Sequence, residues 1–185
     1  KFDTKTGENI RWRAALGTEA HSSPVVSGGR VLIGTNNGKP RDAKHEGDRG
    51  VLMCFDEKRG GFLWQLVVPK RIEDQYFDWP RIGMCSPPTV EGDRVYVMTN
   101  RHEVVCLDLA GMKNGNDGPF KDEGRHMTPA DQPVQEPGPL DADIVWIIDL
   151  VKEAGIWPHD GAHSSILIRG PHLYVNSATG VDKTH

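Results

Sequence analysis

The sequence predicts an all-β fold made of repeated four-stranded antiparallel units, on three observations. Three stretches superpose without a gap: AHSSPVVSGGRVLIGTNNG from Ala20, MCSPPTVEGDRVYVMTNRH from Met84 and AHSSILIRGPHLYVNSATG from Ala162. A second unit recurs between them, as FDTKTGENIRW ending at Trp12, FDEKRGGFLW ending at Trp64, and LDLAGM followed after a long insert by IVW ending at Trp146. The 21 Gly and 13 Pro among 185 residues supply the turns that an all-β chain requires. Internal self-similarity of this kind marks a stacked-repeat architecture.

The first unit reads as a hairpin. A short apolar run leads to a four-residue turn (Ser27 to Arg30, Glu91 to Arg94, Arg169 to His172) and then to a β-rich run. Gly28, Gly92 and Gly170 can adopt the positive φ that such turns demand. In the second unit an apolar–Asp pair (Asp3, Asp56, Asp108) closes one strand, a turn follows, and a strand bearing Trp12, Trp64 or Trp146 returns. The hairpin gives strands A and B, the second unit strands C and D. Residues 21–68 and 85–148 are therefore expected to form one four-stranded sheet each. The tryptophans are expected to pack between successive units, and Cys54 and Cys106 to be small buried residues at equivalent places on strand C.

Sheets of this kind bury their faces only against their neighbours, which leads to a partial β-propeller. The units divide the chain into the end of one blade (1–20), two blades (21–84 and 85–162) and the first hairpin of another (163–185). Propellers close with about 4–8 blades. The chain is thus expected to be part of a longer one, with the rest of the propeller needed for closure.

The Asp-x-x-Thr-Gly-x(4)-Trp stretch from Asp3 to Trp12 carries a family resemblance, together with Ser-Ser-Pro-Val-Val, Gly-x-Val-x-x-Gly-Thr and Cys-Phe-Asp. The chain resembles the pyrroloquinoline-quinone-like (quinoprotein-like) β-propeller repeat family. That resemblance implies one of three kinds of protein: quinone-dependent alcohol or sugar dehydrogenases, non-catalytic scaffolds of the bacterial envelope, and sensor or binding modules. In the dehydrogenases the quinone stacks between a tryptophan and a disulfide of adjacent cysteines, with calcium held by Glu, Asn and Asp. Cys54, Cys85 and Cys106 are far apart, and no CxxCH haem-attachment motif occurs. The expectation is a non-enzymatic binding or scaffold propeller, periplasmic or secreted. The alternative is a fragment of a quinone-dependent dehydrogenase with pyrroloquinoline quinone as its cofactor.

Composition narrows the partners. A formal charge of −4, with no basic cluster beyond pairs such as Lys70-Arg71, disfavours nucleic acid. No apolar run approaches the roughly 18 residues of a membrane span. The cysteines lack CxxC spacing, which leaves at most one internal disulfide. The chain opens in mid-structure, so the missing signal peptide says nothing about its compartment.

Strand alternation converts loop position into a face. The B–C and D-to-next-A connections leave one end of each sheet, the A–B and C–D connections the other. Three connections at the first end are enlarged: Lys39 to Gly50, Pro69 to Gly83 and Ile147 to Gly161. In the last, Asp149 as N-cap and Gly155 as stop predict one short helical turn. Trp79-Pro80 and Trp157-Pro158 each lie six residues before the equivalent positions Cys85 and His163. This face, with Trp79 and Trp157 as contacts, is the expected binding surface for a protein or small-molecule ligand. His21, Cys85 and His163 share one register just before strand A, and are metal-ligand types. Neighbouring blades are expected to hold such equivalent positions far apart. His159 and His163 flank Asp160 in what reads as a loop. The mixed-charge segment Asp42 to Arg49 reads as solvated. The insert from about Ala110 to Asp143 reads as a long surface loop at the opposite end. Within it Asn114, Asn116, Asp117, Asp122 and Glu123 offer oxygen ligands for calcium.

Overall fold

The computed structural model describes residues 1–73, 77–159 and 162–177, with the backbone of 179–180. An Asp turn opens the chain, in which the Asp3 carboxylate accepts hydrogen bonds from the backbone N–H groups of Lys5 (2.7 Å) and Thr6 (3.2 Å). The first sheet then runs β1 (Val25–Ser27), β2 (Arg30–Asn36), β3 (Arg49–Asp56) and β4 (Phe62–Pro69), in that spatial order and antiparallel throughout. The second repeats it with β5 (Thr89–Glu91), β6 (Arg94–Met98), β7 (Glu103–Asp108) and β8 (Ile144–Asp149). A two-residue strand β9 (Trp157–Pro158) follows, then the hairpin β10 (Leu167–Arg169) and β11 (His172–Tyr174). Finally β12 (Thr179–Gly180) returns to pair with β9. The strands run slightly past the expected limits, to Pro69 and Asp149, because the ladder continues into the loops.

All three hairpin turns fall where the sequence places them. Gly28 and Gly29 both have positive φ (55° and 74°), the type I′ pattern. At Gly92 (59°) and Gly170 (55°) only the first central residue does, the II′ pattern.

The two sheets share one register. Arg30 faces Asp56 as Arg94 faces Asp108, and Cys54 pairs with Trp64 as Cys106 pairs with Trp146. Each ladder slips immediately after its cysteine. The tryptophans then tie unit to unit. Trp12 Nε1 donates to the Glu57 carbonyl (2.8 Å), and Trp64 Nε1 donates to the Leu109 carbonyl (3.0 Å). Each acceptor directly follows the Asp of the next unit, and that Asp holds its own turn. Asp56 accepts from Arg59 N–H and Asp108 from Ala110 N–H, both at 2.7 Å. The rings lie so close to the turn glycines that a Cβ on Gly60 would come within 2.4 Å of Trp12, and one on Gly111 within 2.5 Å of Trp64. Both glycines also have positive φ, so two independent constraints require glycine there.

Alternating side chains leave neither face of either sheet bare. Leu32, Leu52, Cys54, Trp64, Leu66 and Val68 of the first sheet pack against Val95, Val97, Val105 and Leu107 of the second. The other face of the first sheet, with Val51, Met53, Phe55 and Val67, is covered by Ala14 and Leu16. The far face of the second sheet packs Met98, Val104, Tyr96 and Trp146 against Ala162, Ile166, Ile168 and Leu173. Trp146 is only half-buried, since no further Asp–Gly turn docks on it among the described residues.

The 110–143 insert is not the loose surface loop that its composition suggests. It contains a 3₁₀ turn (Gly111–Asn114) and helix α1 (Glu123–Met127), with Glu123, Gly124, Met127 and Thr128 buried. Its return runs parallel to β4 at Asp141: Gln65 N–H donates to the Leu140 carbonyl and Ala142 N–H to the Gln65 carbonyl, both at 2.9 Å. Nor does it stay at the opposite end. Asp141 receives Lys44 Nζ (2.5 Å) and lies 3.4 Å from His45 Nε2, so the Asp42–Arg49 segment, expected to be solvated, is held from within. His45 is buried for that reason. Buried carboxylates must be paired, and a polar insert gains its order from such pairs rather than from hydrophobic periodicity.

Trp64→Ala removes both the inter-sheet filling and the bond to Leu109, and should cost about 3–5 kcal/mol. Half-buried Trp146 should cost clearly less when truncated. Urea unfolding of both variants checks this order, and a Trp64 loss well below about 1 kcal/mol would show that docking is not what joins the sheets.

Candidate functional site

The enlarged connections meet at one end of the two sheets, and buried polar groups hold them. Arg71, following β4, is the centre of this junction. Its guanidinium donates to both oxygens of Asp149 (3.2 and 3.3 Å), to the Arg101 carbonyl (3.3 Å) and to Glu73 (3.3 Å). Asp149 also caps α2 (Leu150–Ala154), accepting from the N–H groups of Val151 and Lys152, and Gly155 ends it at φ 62°. The short helical turn expected from Asp149 and Gly155 is therefore present, and Arg71 ties it to the preceding loop.

Asp78 organises the neighbouring loop. It is buried and takes Lys70 Nζ, Asn100 Nδ2 (2.6 Å) and the Arg71 N–H (3.2 Å). Burial pushes its carboxyl up to about 6 against the pull of those three donors. Near Arg71, burial pushes the His102 imidazole down to about 4, helped by Arg71 and His163 and opposed by the Ser177 backbone and Asp149. Glu103 goes the other way. Burial alone would raise it, but hydrogen bonds from His126 and Thr99 and the positive charge nearby hold it at about 2.

The two Trp-Pro corners differ in setting. Trp79 is 47% exposed, with Pro80 also exposed. Trp157 is half-buried, its ring edge-on to Phe77 with centroids 4.5 Å apart, and Pro158 is buried in the β9–β12 pair. Two residues beyond Trp79, Arg81 lines a cleft of about 380 Å³ with Asn36, Asn37, Gly38, Pro40, Gly47 and Asp48. The cleft is fixed from both sides, since Arg81 N–H donates to Asp48 (2.6 Å) and the Arg81 carbonyl accepts from Asn36 Nδ2 (2.7 Å). A wider hollow of about 610 Å³ within Lys1–Glu8 is bounded by one exposed turn and brings no second element to a ligand. The cleft between two loops is the better candidate.

His21, Cys85 and His163 keep their common register, each four residues before β1, β5 or β10. His21 is exposed beside Glu19 at 3.5 Å, and His163 is exposed. Cys85 is buried, and burial pushes its thiol up to about 11, so it is not a thiolate at neutral pH. Cys54, Cys85 and Cys106 are all free thiols. One residue further on, Ser86 Oγ donates to the Ser164 carbonyl (2.5 Å), so the approaches to β5 and β10 touch there. His159 is half-buried before β10, while Asp160 lies outside the described residues.

The oxygen-rich insert places Asp117 among carboxylates distant in sequence. Asp108, Asp117 and Asp143 each bring an oxygen within 4.8 Å of the others. Asn114 donates to Asp117 (2.9 Å) and Asn116 to Glu123 (2.7 Å). Burial and the charges of Asp117, Glu123 and Asp108 raise the Asp143 carboxyl. Asp122 makes no side-chain cap for α1.

Arg71, Asp78, His102 and Asp143 escape sequence reading, because their partners lie across loops. Asn36 and Asn100 carry a usable signal, since both follow Thr at one repeat position. Both are buried, Asn36 accepting from the backbone N–H groups of Thr18 and Glu19 and Asn100 holding Asp78. Set against models of known families the chain matches none, and no curated protein matches it either.

His102 yields a pH prediction. Its folded pKa lies below the ordinary 6.5, so the unfolded chain binds the proton first. Its contribution is complete above about pH 6.5 and is lost as pH falls toward 4, on the order of 3 kcal/mol. His102→Asn keeps a residue that tolerates φ 59° and should remove this loss on acidification, as chemical denaturation between pH 4 and 7 would read out. What is left is the opposite trend of Asp78, whose raised carboxyl favours the folded state as pH falls below about 6.

Proposed function

We propose that the chain is part of a quinoprotein-like β-propeller that binds a protein or small-molecule ligand outside the cytoplasm, without catalysing a reaction. Three features support the propeller reading. The two sheets share one register, Trp12 and Trp64 dock on successive Asp–Gly turns, and inner segments lie side by side at Ser86 and Ser164. Such tandem sheets bury their faces in series, as propeller blades do. No helix among the described residues is long and apolar enough to cross a membrane.

One observation carries the binding reading: the cleft beside Arg81, with Trp79 exposed two residues away, on loops already fixed from below by Asp78 and Asn36. A fixed concave site with an exposed aromatic residue at its edge loses little order on binding. Trp157, packed on Phe77, serves this reading as a support for the loop and Trp79 as its contact.

Two measurements on the full protein test the proposal. Incubated with pyrroloquinoline quinone and calcium, it should give no dye-linked oxidation of alcohols or aldoses. Turnover above background would assign the dehydrogenase alternative instead. Trp79→Ala should weaken ligand binding about tenfold or more, with the melting temperature nearly unchanged, whereas Trp157→Ala should lower the melting temperature. A large thermal loss in Trp79→Ala would make that corner structural and move the binding face elsewhere.

A further inference from the structure

We propose that Asp108, Asp117 and Asp143, with Glu123 beside them, form a calcium site that pins the 110–143 insert to the second sheet. The donors come from three separated pieces of chain: the end of β7, the turn after the 3₁₀ helix, and the approach to β8. One oxygen of each aspartate lies within 4.8 Å of the others.

The independent observation is two bare oxygens. Asp143 is 0% exposed and Glu123 1%, yet Asp143 Oδ1 and Glu123 Oε1 have no hydrogen-bond partner. Buried carboxylate oxygens are seldom left so, because nothing then replaces the water they lose. The nearby cations do not supply what is missing. Arg94 donates to Asp108 at 3.0 Å. Lys121 turns to the backbone and side-chain oxygens of Asn116, at 2.5 and 2.9 Å. Arg94 thus serves Asp108, and among the described residues the more deeply buried Asp143 and Glu123 have no cationic partner.

The donor set selects the ion. It is all oxygen, with no His or Cys, which disfavours zinc. Carboxylates from three unequally spaced segments suit the larger, irregular coordination of calcium, with its 6–8 oxygen ligands, better than the near-octahedral shell of magnesium. The cation's role would be to hold the insert. Its Asp143 end lies beside the end of β7 in the second sheet, where the Asp143 carbonyl accepts the Asp108 N–H at 3.0 Å.

The site is independent of the proposed binding face, and its test does not use that face. The full protein is stripped with EGTA, bound calcium is counted by mass spectrometry after adding calcium chloride, and thermal unfolding is followed with calcium chloride or magnesium chloride. One ion per chain is expected. At a hundredfold excess over Kd the melting temperature should rise by about 5–10 °C, with a smaller rise in magnesium. Asp117 is exposed, so Asp117→Asn should melt like the stripped parent and lose the calcium response. Asp143→Asn should melt higher than the stripped parent, because a repulsion is gone, and should also lose the response. No stoichiometric calcium, or a response undiminished in both variants, overturns the site. An equal rise in magnesium overturns the choice of ion.

Discussion

Everything in this molecule hangs on a tryptophan laid across the turn of the next sheet. Each antiparallel sheet is apolar on both faces, so it is stable only when stacked. Stacking alone is non-directional. The indole adds direction, because its N–H must find the carbonyl just after the next Asp while its ring lies on a glycine without a Cβ. Those demands fix the lateral position of one sheet on another. The Asp that closes the preceding strand is part of the same device, since it holds the turn on which the ring lands.

With the sheets so placed, the loops at one end are brought within reach of one another and are joined by buried polar groups. Arg71 links the connection after β4 to α2, and Asp78 links it to Asn100 at the end of the β6 run. The network gives fixed geometry to segments that have few apolar residues to pack. It also explains why Trp79 can stand exposed without loosening its loop: its carbonyl accepts from Lys70, which is anchored on Asp78. On the proposed reading, the loops form a stiff rim of a binding face.

Much of the architecture is legible in the sequence because it is encoded locally and repeatedly. The hairpin turns follow from glycine at a required φ, and the shared register follows from superposing Arg30 on Arg94 and Trp64 on Trp146. The α2 turn follows from Asp149 and Gly155. What escapes is encoded by partners far apart in the chain. Nothing in the segment around Lys44 announces Asp141, and nothing in the run around Asp117 announces Asp143. The composition of the insert suggests oxygen donors but not burial, since its order comes from ion pairs and from pairing with β4. The Trp-Pro corners show the limit of motif reading, because the same dipeptide is exposed in one loop and built into a ladder in the other.

The parallel bridge at Gln65 has a consequence for behaviour in solution. The outermost strand of the first sheet would otherwise offer its free N–H and C=O groups to any extended segment, the usual route to edge-to-edge aggregation. Leu140 and Ala142 occupy the Gln65 groups from within the same chain. The insert is therefore a guard strand, and a protein shortened between Gly111 and Asp141 would keep its sheets but offer that strand as a template for self-association.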